Sequence, residues 1–335
     1  MVRFERIAMV LSGGGALGAY QAGAYAALEK SGVRPNWIAG TAVGAVNAAI
    51  IAGNLPHERT QRLRQFWRAV SGYATVRRVQ RPARLWATLA RRRPFGGRGR
   101  RVSSCYEEPV VSAAALHTLI SQLVDFDRIN SGAIRLVLGA VNLATGAETF
   151  FDNDRHVLGV DHVLAGTPFS GLPPVEIGRQ LFAGSAISVS VLDDARPADT
   201  LCLAIDGYDP LLGGQGGFSR SARDIVTMRR THDLRRMIAL LGERLPPAAR
   251  SDVDIRRCLA EASTATMTIL HLVHEGNAAD LSAKMADFSS VALTGRWKAG
   301  EDDVATSLTH PRWLAPPSRL SGVVVHEVRG GVAAP

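Results

Sequence analysis

The sequence predicts an α/β fold built on a mainly parallel sheet, and three observations carry that reading. Ile7-Ala8-Met9-Val10-Leu11 is a short continuous apolar run, the pattern of a strand buried on both faces. It is followed by the glycine cluster Gly13-Gly14-Gly15 and then by an Ala-rich helical stretch, Ala16 to Lys30, which ends near Gly32. The same order then returns. Trp37-Ile38-Ala39 reads as a second strand, Gly40-Thr41-Ala42-Val43-Gly44 as a tight turn, and Ala45 to Ala52 as a helix of small residues. Strands, loops and helices in this alternation indicate parallel strands joined by crossovers.

The later elements follow from period and punctuation. Leu63, Phe66, Trp67 and Val70 form an i, i+3, i+4, i+7 stripe on a helix whose other faces carry arginines. Pro82 is placed to open a second helix with Leu85, Trp86 and Leu89, running into Arg91-Arg92-Arg93. Pro94 to Arg101 reads as a loop. Ile134 to Asn142 and Glu148 to Phe151 form a hairpin around Thr145-Gly146, and Leu201 to Ile205 is another core strand. After Asp209 the texture changes. Gly213 to Gly217 is flexible in composition, and Ser219 to Leu245 is a long Arg-rich helix ended by Pro246-Pro247. Thr266 to Val273 is a strand, Ser289 to Leu308 a helix, and Gly322 to Val328 a final strand. The division expected is an α/β domain over residues 5–210, with an Arg-rich helical insert at 59–106, and a C-terminal extension over 211–335.

Composition narrows the function classes. With 335 residues, 46% of them apolar, the chain has ample material for a core and is neither disordered nor a disulfide scaffold. The net charge of +9 invites a nucleic-acid reading. Its distribution argues against one. Fourteen arginines and no acid lie between Arg59 and Tyr106, which leaves the rest of the chain at net −5. Cys105, Cys202 and Cys258 are too far apart for a zinc knuckle. His271-x-x-His274-Glu275 lies on a strand, where residues three apart face opposite sides, so chelation is not expected. His271 reads as a satisfied, partly buried residue, and Asp152, Asp154 and His156 read as solvated turn residues. The N-terminus lacks the order of a signal peptide, and no apolar run reaches the ~18 residues of a membrane span. The expectation is a cytoplasmic protein, soluble or peripheral to a membrane, with no cofactor or metal.

Gly13-x-Gly15-x-x-Gly18 between strand and helix has the form of a dinucleotide fingerprint, but the second strand ends in Ala39-Gly40-Thr41 with no acid for a ribose. The other use of such a loop is an oxyanion hole, its backbone N–H groups turned to a developing negative charge. Gly40-x-Ala42-x-Gly44 has the setting of a G-x-S-x-G nucleophile elbow. Together, Leu11-Ser12-Gly13-Gly14-Gly15-Ala16-Leu17-Gly18-Ala19-Tyr20 and Gly40-Thr41-Ala42-Val43-Gly44-Ala45 resemble the patatin-like phospholipase family. Pro173-Pro174-Val175-Glu176-Ile177 resembles the family's approach to its catalytic aspartate. His310-Pro311-Arg312-Trp313-Leu314-Ala315-Pro316-Pro317 resembles the extension found in one bacterial subfamily. The resemblance implies a three-layer α/β/α sandwich with a mostly helical C-terminal extension. It also implies hydrolysis of lipid acyl esters by a Ser–Asp dyad without cofactor, a lipid or fatty-acyl ligand, and an oxyanion hole at Gly13, Gly14, Gly15 and Gly18. The elbow would be Gly40, Thr41, Val43 and Gly44.

The dyad itself departs from the family. The nucleophile position is Ala42, whose methyl cannot attack a carbonyl, and the neighbouring Thr41 points elsewhere. Counted from Gly178-Arg179, the aspartate position is Ala183. Asp206-Gly207, an Asp-Gly pair after a later strand, is the less favoured candidate for the aspartate and otherwise reads as a strand-end turn former. The chain is therefore expected to be inactive or strongly impaired and to retain a lipid-binding or regulatory role. Two alternatives stay open. One is an active acyl hydrolase using Ser12, Ser185 or Ser188. The other is a module that meets an anionic membrane surface or a partner through Arg77, Arg78, Arg84, Arg91, Arg92 and Arg93.

Overall fold

The computed structural model describes residues 4–90, 111–167, 172–184, 189–194, 197–207, 220–274, 281–318, 321–329 and 332–334. Its first half runs β1 (Arg6–Leu11), α1 (Gly18–Lys30), β2 (Trp37–Gly40), α2 (Val43–Ala52), α3 (Pro56–Ala90), α4 (Ala113–Leu123), α5 (Phe126–Asn130), β3 (Arg135–Val141) and β4 (Glu148–Asp152). It continues with α6 (Val160–Ala165), β5 (Val175–Ile177), β6 (Gln180–Phe182), β7 (Thr200–Asp206), α7 (Arg220–Arg244), α8 (Pro247–Arg250) and α9 (Val253–Ala260). Then come β8 (Met267–Val273), α10 (Leu281–Ala286), α11 (Ser290–Thr309), β9 (Val323–Arg329) and β10 (Val332–Ala334).

Eight strands form one sheet in the order β10-β9-β8-β7-β1-β2-β3-β4. The six inner strands are parallel, and β4 and β10 close the edges antiparallel. Side chains alternate between two apolar layers, as the period-2 geometry of a strand requires. Met9, Leu11, Ile38, Leu136, Leu138, Leu203 and Ile205 face one layer with α1, α2 and α11. Ala8, Val10, Ala39, Val137, Cys202 and Ala204 face the other, where Val189, Leu192 and Met228 of α7 cover them. The result is an α/β/α sandwich around a mainly parallel sheet, as expected.

The expected boundary near residue 210 falls between β7 and β8, which are hydrogen-bonded neighbours. Residues beyond it supply three strands of the same sheet, and α11 packs backbone to backbone on α1. A Cβ at Gly23 would lie 1.9 Å from the carbonyl oxygen of Trp297, and one at Gly300 would lie 2.1 Å from that of Tyr20. Tyr20 also donates its hydroxyl to Asp303 at 2.7 Å, fully buried.

Three local expectations are corrected. First, α3 does not break at Pro82. One helix runs unbroken to Ala90, its early turns held to the core by Leu63, Phe66, Trp67 and Val70. The helix passes through Pro82 although that residue withholds its N–H from the ladder. Second, Asp152 is buried, because it ends β4 opposite Val137 and binds the Arg135 guanidinium through Nε at 3.1 Å. Third, Asp206 is also buried, as described below. The side chains of Arg77, Arg78, Arg84, Leu85, Trp86 and Leu89, and all of Arg91, Arg92 and Arg93, lie outside the described residues. Among those described, no helix is long and apolar enough to cross a membrane.

Candidate active site

All six parallel strands end at one edge of the sheet, where open α/β sheets place their ligands. Two of them carry the predicted motifs. β1 runs into Ser12-Gly13-Gly14-Gly15, and β2 runs into Gly40-Thr41-Ala42. The two turns are joined: the Thr41 N–H donates to the Leu11 carbonyl at 3.2 Å. A Cβ at Gly44 would lie 2.2 Å from that same carbonyl oxygen, so only glycine lets α2 begin so close to the loop.

Ala42 has φ 54° and ψ −131°, a conformation that L-residues rarely adopt. It is held there by its N–H, donating to Gly166 at 2.6 Å, and its carbonyl, which accepts from the Thr167 hydroxyl at 3.1 Å. The chain thus makes a strained strand-to-helix corner at Ala42, the kind of turn from which a nucleophile elbow projects its side chain. Gly13 faces it: a Cβ at Gly13 would lie 3.1 Å from the Ala42 Cβ. Gly14 and Gly15 turn the chain with φ 149° and 56°. Gly18 sits in the first turn of α1 under Val43 and Trp67. Thr41 is buried, and the Ser12 hydroxyl is 3.4 Å from both the Gly13 and Ile205 carbonyls. Ser185 and Ser188 lie outside the described residues.

A chain of buried amides fixes the loop, and no sequence motif announced it. Trp67 Nε1 donates to Asn47 Oδ1 at 3.2 Å, and Asn47 Nδ2 donates to Gln21 Oε1 at 3.1 Å. Gln21 Nε2 in turn donates to the Ser12 carbonyl at 2.7 Å and to that of Ile205 at 3.2 Å. Three helices thus grip one loop residue. On its other side, α10 brings the Met285 carbonyl against Gly15, where a Cβ would meet it at 2.5 Å. The buried Arg296 holds α10 there, donating to the Lys284 and Asp287 carbonyls at 2.7 Å each.

Ala183 follows the β5–β6 hairpin, whose two-residue turn, Gly178-Arg179, has φ 56° and 70°. The Ala183 N–H donates to the Val141 carbonyl at 3.1 Å, and the Val141 N–H donates to that of Gly184 at 2.6 Å. The segment is therefore tied to the end of β3, the strand beside β2. Ala42 follows the C-terminal end of β2, and Ala183 is hydrogen-bonded to the C-terminal end of β3, the strand beside it.

Asp206 ends β7 but points to the second face of the sheet, with Cys202 and Ala204. There its Oδ2 lies 2.7 Å from His271 Nε2, while His271 Nδ1 lies 3.5 Å from Glu327 on β9. Burial alone would lower the His271 pKa, but hydrogen bonds to Asp206 and Glu327 hold it up at about 9. Glu327 is held down at about 2, chiefly by its bond with His271 and secondarily by Arg329. His274 stacks on Tyr20 at 4.8 Å and is pushed down to about 4 by burial, then by the charges of Arg296 and Lys284. Among the described residues, no group of three or more His, Cys, Asp or Glu side chains is placed to hold a metal ion.

The family model for patatin-like phospholipases matches residues 9–198, more than half the chain, and spans the glycine loop, the elbow and Ala183. The chain belongs to the patatin-like phospholipase family. A second model, described as patatin phospholipase, matches residues 218–320, so the family division in sequence falls where the sheet has none. No curated protein matches. Among solved structures, VipD from Legionella pneumophila is similar at 12% identity and a TM-score of 0.36, over 96% of this chain and 71% of that one.

Proposed function

We propose that this patatin-like protein binds a fatty-acyl carboxylate or ester carbonyl at its glycine loop and does not hydrolyse it. The observation that carries the reading is Ala42. Its backbone keeps the strained corner of a nucleophile, yet its side chain is a methyl group. Loss of a serine-hydrolase nucleophile lowers kcat by about 10⁶, roughly 8 kcal/mol of barrier. Ala183 supplies no base. Asp206, the other candidate, is engaged by His271 on the far face of the sheet, which favours Ala183 as the vacated position. The Gly13–Gly15 backbone and the N-terminal end of α1 suit a bound oxygen bearing negative charge.

The test is an esterase assay with p-nitrophenyl butyrate and a phospholipid, together with fluorophosphonate labelling. Inactivity and no label are expected, with a fatty acid found by mass spectrometry in protein extracted under native conditions. The double variant Ala42→Ser/Ala183→Asp should gain turnover. Wild-type turnover that survives further purification would overturn the reading. Gain from Ala42→Ser alone, with no added benefit from Ala183→Asp, would reassign the base to Asp206.

A further inference from the structure

We propose that the outward face of α7 docks on an anionic lipid surface, and that it does so at the edge of the sheet opposite the glycine loop. The helix Arg220–Arg244 carries seven arginines against three acids. Its inner side is spoken for: Met228 is fully buried and Ile225 partly so, against Val189 and Leu192. Its outer side carries an apolar crest, with Arg230, Asp233 and Arg244 on the same arc. Val226, Leu234, Met237, Leu240 and Leu241 are 50, 56, 54, 50 and 64% exposed. At 100° per residue these five fall within an arc of about 120°. Val253 of α9, 69% exposed, belongs to the same arm, because α9 folds back on α7 with Leu259 against Gly242. Six of the thirteen exposed large apolar side chains among the described residues thus occupy this short stretch, which is the clustering that marks an interaction site. Arg229 and Arg230 are exposed between Val226 and Leu234, and Arg244 is exposed after Leu241.

Hydrogen bonds locate the crest. The Ser263 N–H donates to the Arg235 carbonyl, and the side chains of Asp233 and Arg236 flank Gly322. Ser263 and Gly322 precede β8 and β9, so the middle of α7 is level with the N-terminal edge of the sheet. A helix of 25 residues spans about 37 Å, and a seven-residue strand about 23 Å. The turns after Arg236 therefore project past the sheet, on the side away from Gly13 and Ala42.

The occupant follows from shape and charge. The crest is the convex face of a single helix, which a deformable lipid interface accepts without a matching groove. Leucine and methionine enter the acyl boundary while arginines at either end reach the headgroups. A second copy fits poorly. Antiparallel pairing centred on Met237 sets Arg230 against Arg244, and parallel pairing sets each arginine beside itself. Docked in this way, the glycine loop faces water rather than bilayer.

The experiment is co-sedimentation of the full chain with vesicles of phosphatidylcholine alone or mixed with phosphatidylserine. Binding to the mixed vesicles only, fading as salt rises, is expected. Leu234→Ser/Met237→Ser/Leu241→Ser and, separately, Arg229→Gln/Arg230→Gln/Arg244→Gln should each lower partitioning at least about tenfold. Arg91→Gln/Arg92→Gln/Arg93→Gln should leave it within twofold. All six α7 positions are exposed, and circular dichroism and the unfolding midpoint check that the variants fold. Four results would overturn the proposal. They are no binding to either vesicle, equal binding to both, α7 variants that bind as the parent does, and a solution dimer that the leucine variant dissociates.

Discussion

His271 Nε2 lies 2.7 Å from Asp206 Oδ2 across two neighbouring parallel strands, on the face of the sheet turned away from the elbow. The pair holds the Asp206 carboxylate at the end of β7 and makes it part of the fold's electrostatics. Folded His271 keeps its proton up to about pH 9, whereas the unfolded imidazole releases it near its ordinary 6.5. Between those values the folded state holds more protons. Stability from this pair is therefore complete below about pH 6.5 and is lost as pH rises toward 9. The thermal midpoint should fall across that window, and His271→Gln should flatten the fall. A wild-type midpoint independent of pH from 6.5 to 9 would contradict the assignment.

His274 predicts the opposite limb. Its folded pKa of about 4 lies below the ordinary 6.5, so the unfolded state binds the extra proton between them. Stability should fall as pH drops from 6.5 to 4, and His274→Phe, which keeps the stack on Tyr20, should lessen that fall in the same melts.

Ala42→Gly measures the strain at the turn between β2 and α2. Glycine adopts φ 54° freely, and relief of a strained residue of roughly 1–3 kcal/mol exceeds the entropy that glycine adds to the unfolded chain. A gain of about 1 kcal/mol in denaturant unfolding is expected. A loss would mean that the Ala42 methyl is packed rather than merely tolerated.

Two glycines of α11 should behave in opposite ways. Gly300→Ala drives a methyl into the Tyr20 carbonyl, backbone against backbone, and should cost about 3 kcal/mol or more. Gly295 has nothing within 4 Å of an added Cβ, so Gly295→Ala should stabilise by about 0.5–1 kcal/mol. Equal effects in urea titrations would remove α11 from its close seat on α1.

Asn47→Leu tests the amide chain. It strands the Trp67 indole N–H and the Gln21 carbonyl oxygen in a buried site, a loss of roughly 2 kcal/mol. Hydrogen exchange at residues 12–18 should quicken more than at β1. Uniform exchange would leave the chain structural but unconnected to the loop.

Much of this was legible in the residues. The glycine spacings at 13–18 and 40–44 predict the two turns that meet at Ala42, because close backbone approach admits few other residue types. Strands read from apolar runs at 7–11, 37–39, 201–205 and 266–273 match those found. What linear pattern does not carry is which strands are neighbours. Asp206 reads as a turn former because its partner is 65 positions away on β8. Asp152 reads as solvated because its burial depends on Arg135 across a hairpin. The C-terminal region reads as an appendage because nothing local says that β8 lies beside β7. The amides Gln21 and Asn47 stand in Ala-rich helices and give no signal of their own.

The placement of β1 has a consequence for how the chain is made. One side of it pairs with β2, within forty residues, while the other waits for β7, which begins at Thr200. At ~5–20 residues per second, the ribosome needs roughly ten to thirty seconds to supply that partner. Through that interval the nascent protein carries an unpaired apolar strand edge at Arg6–Leu11, the template on which chains associate wrongly. Folding is therefore set by long-range closure at the centre of the sheet. The hazard of aggregation is greatest midway through synthesis, before any question of catalysis arises.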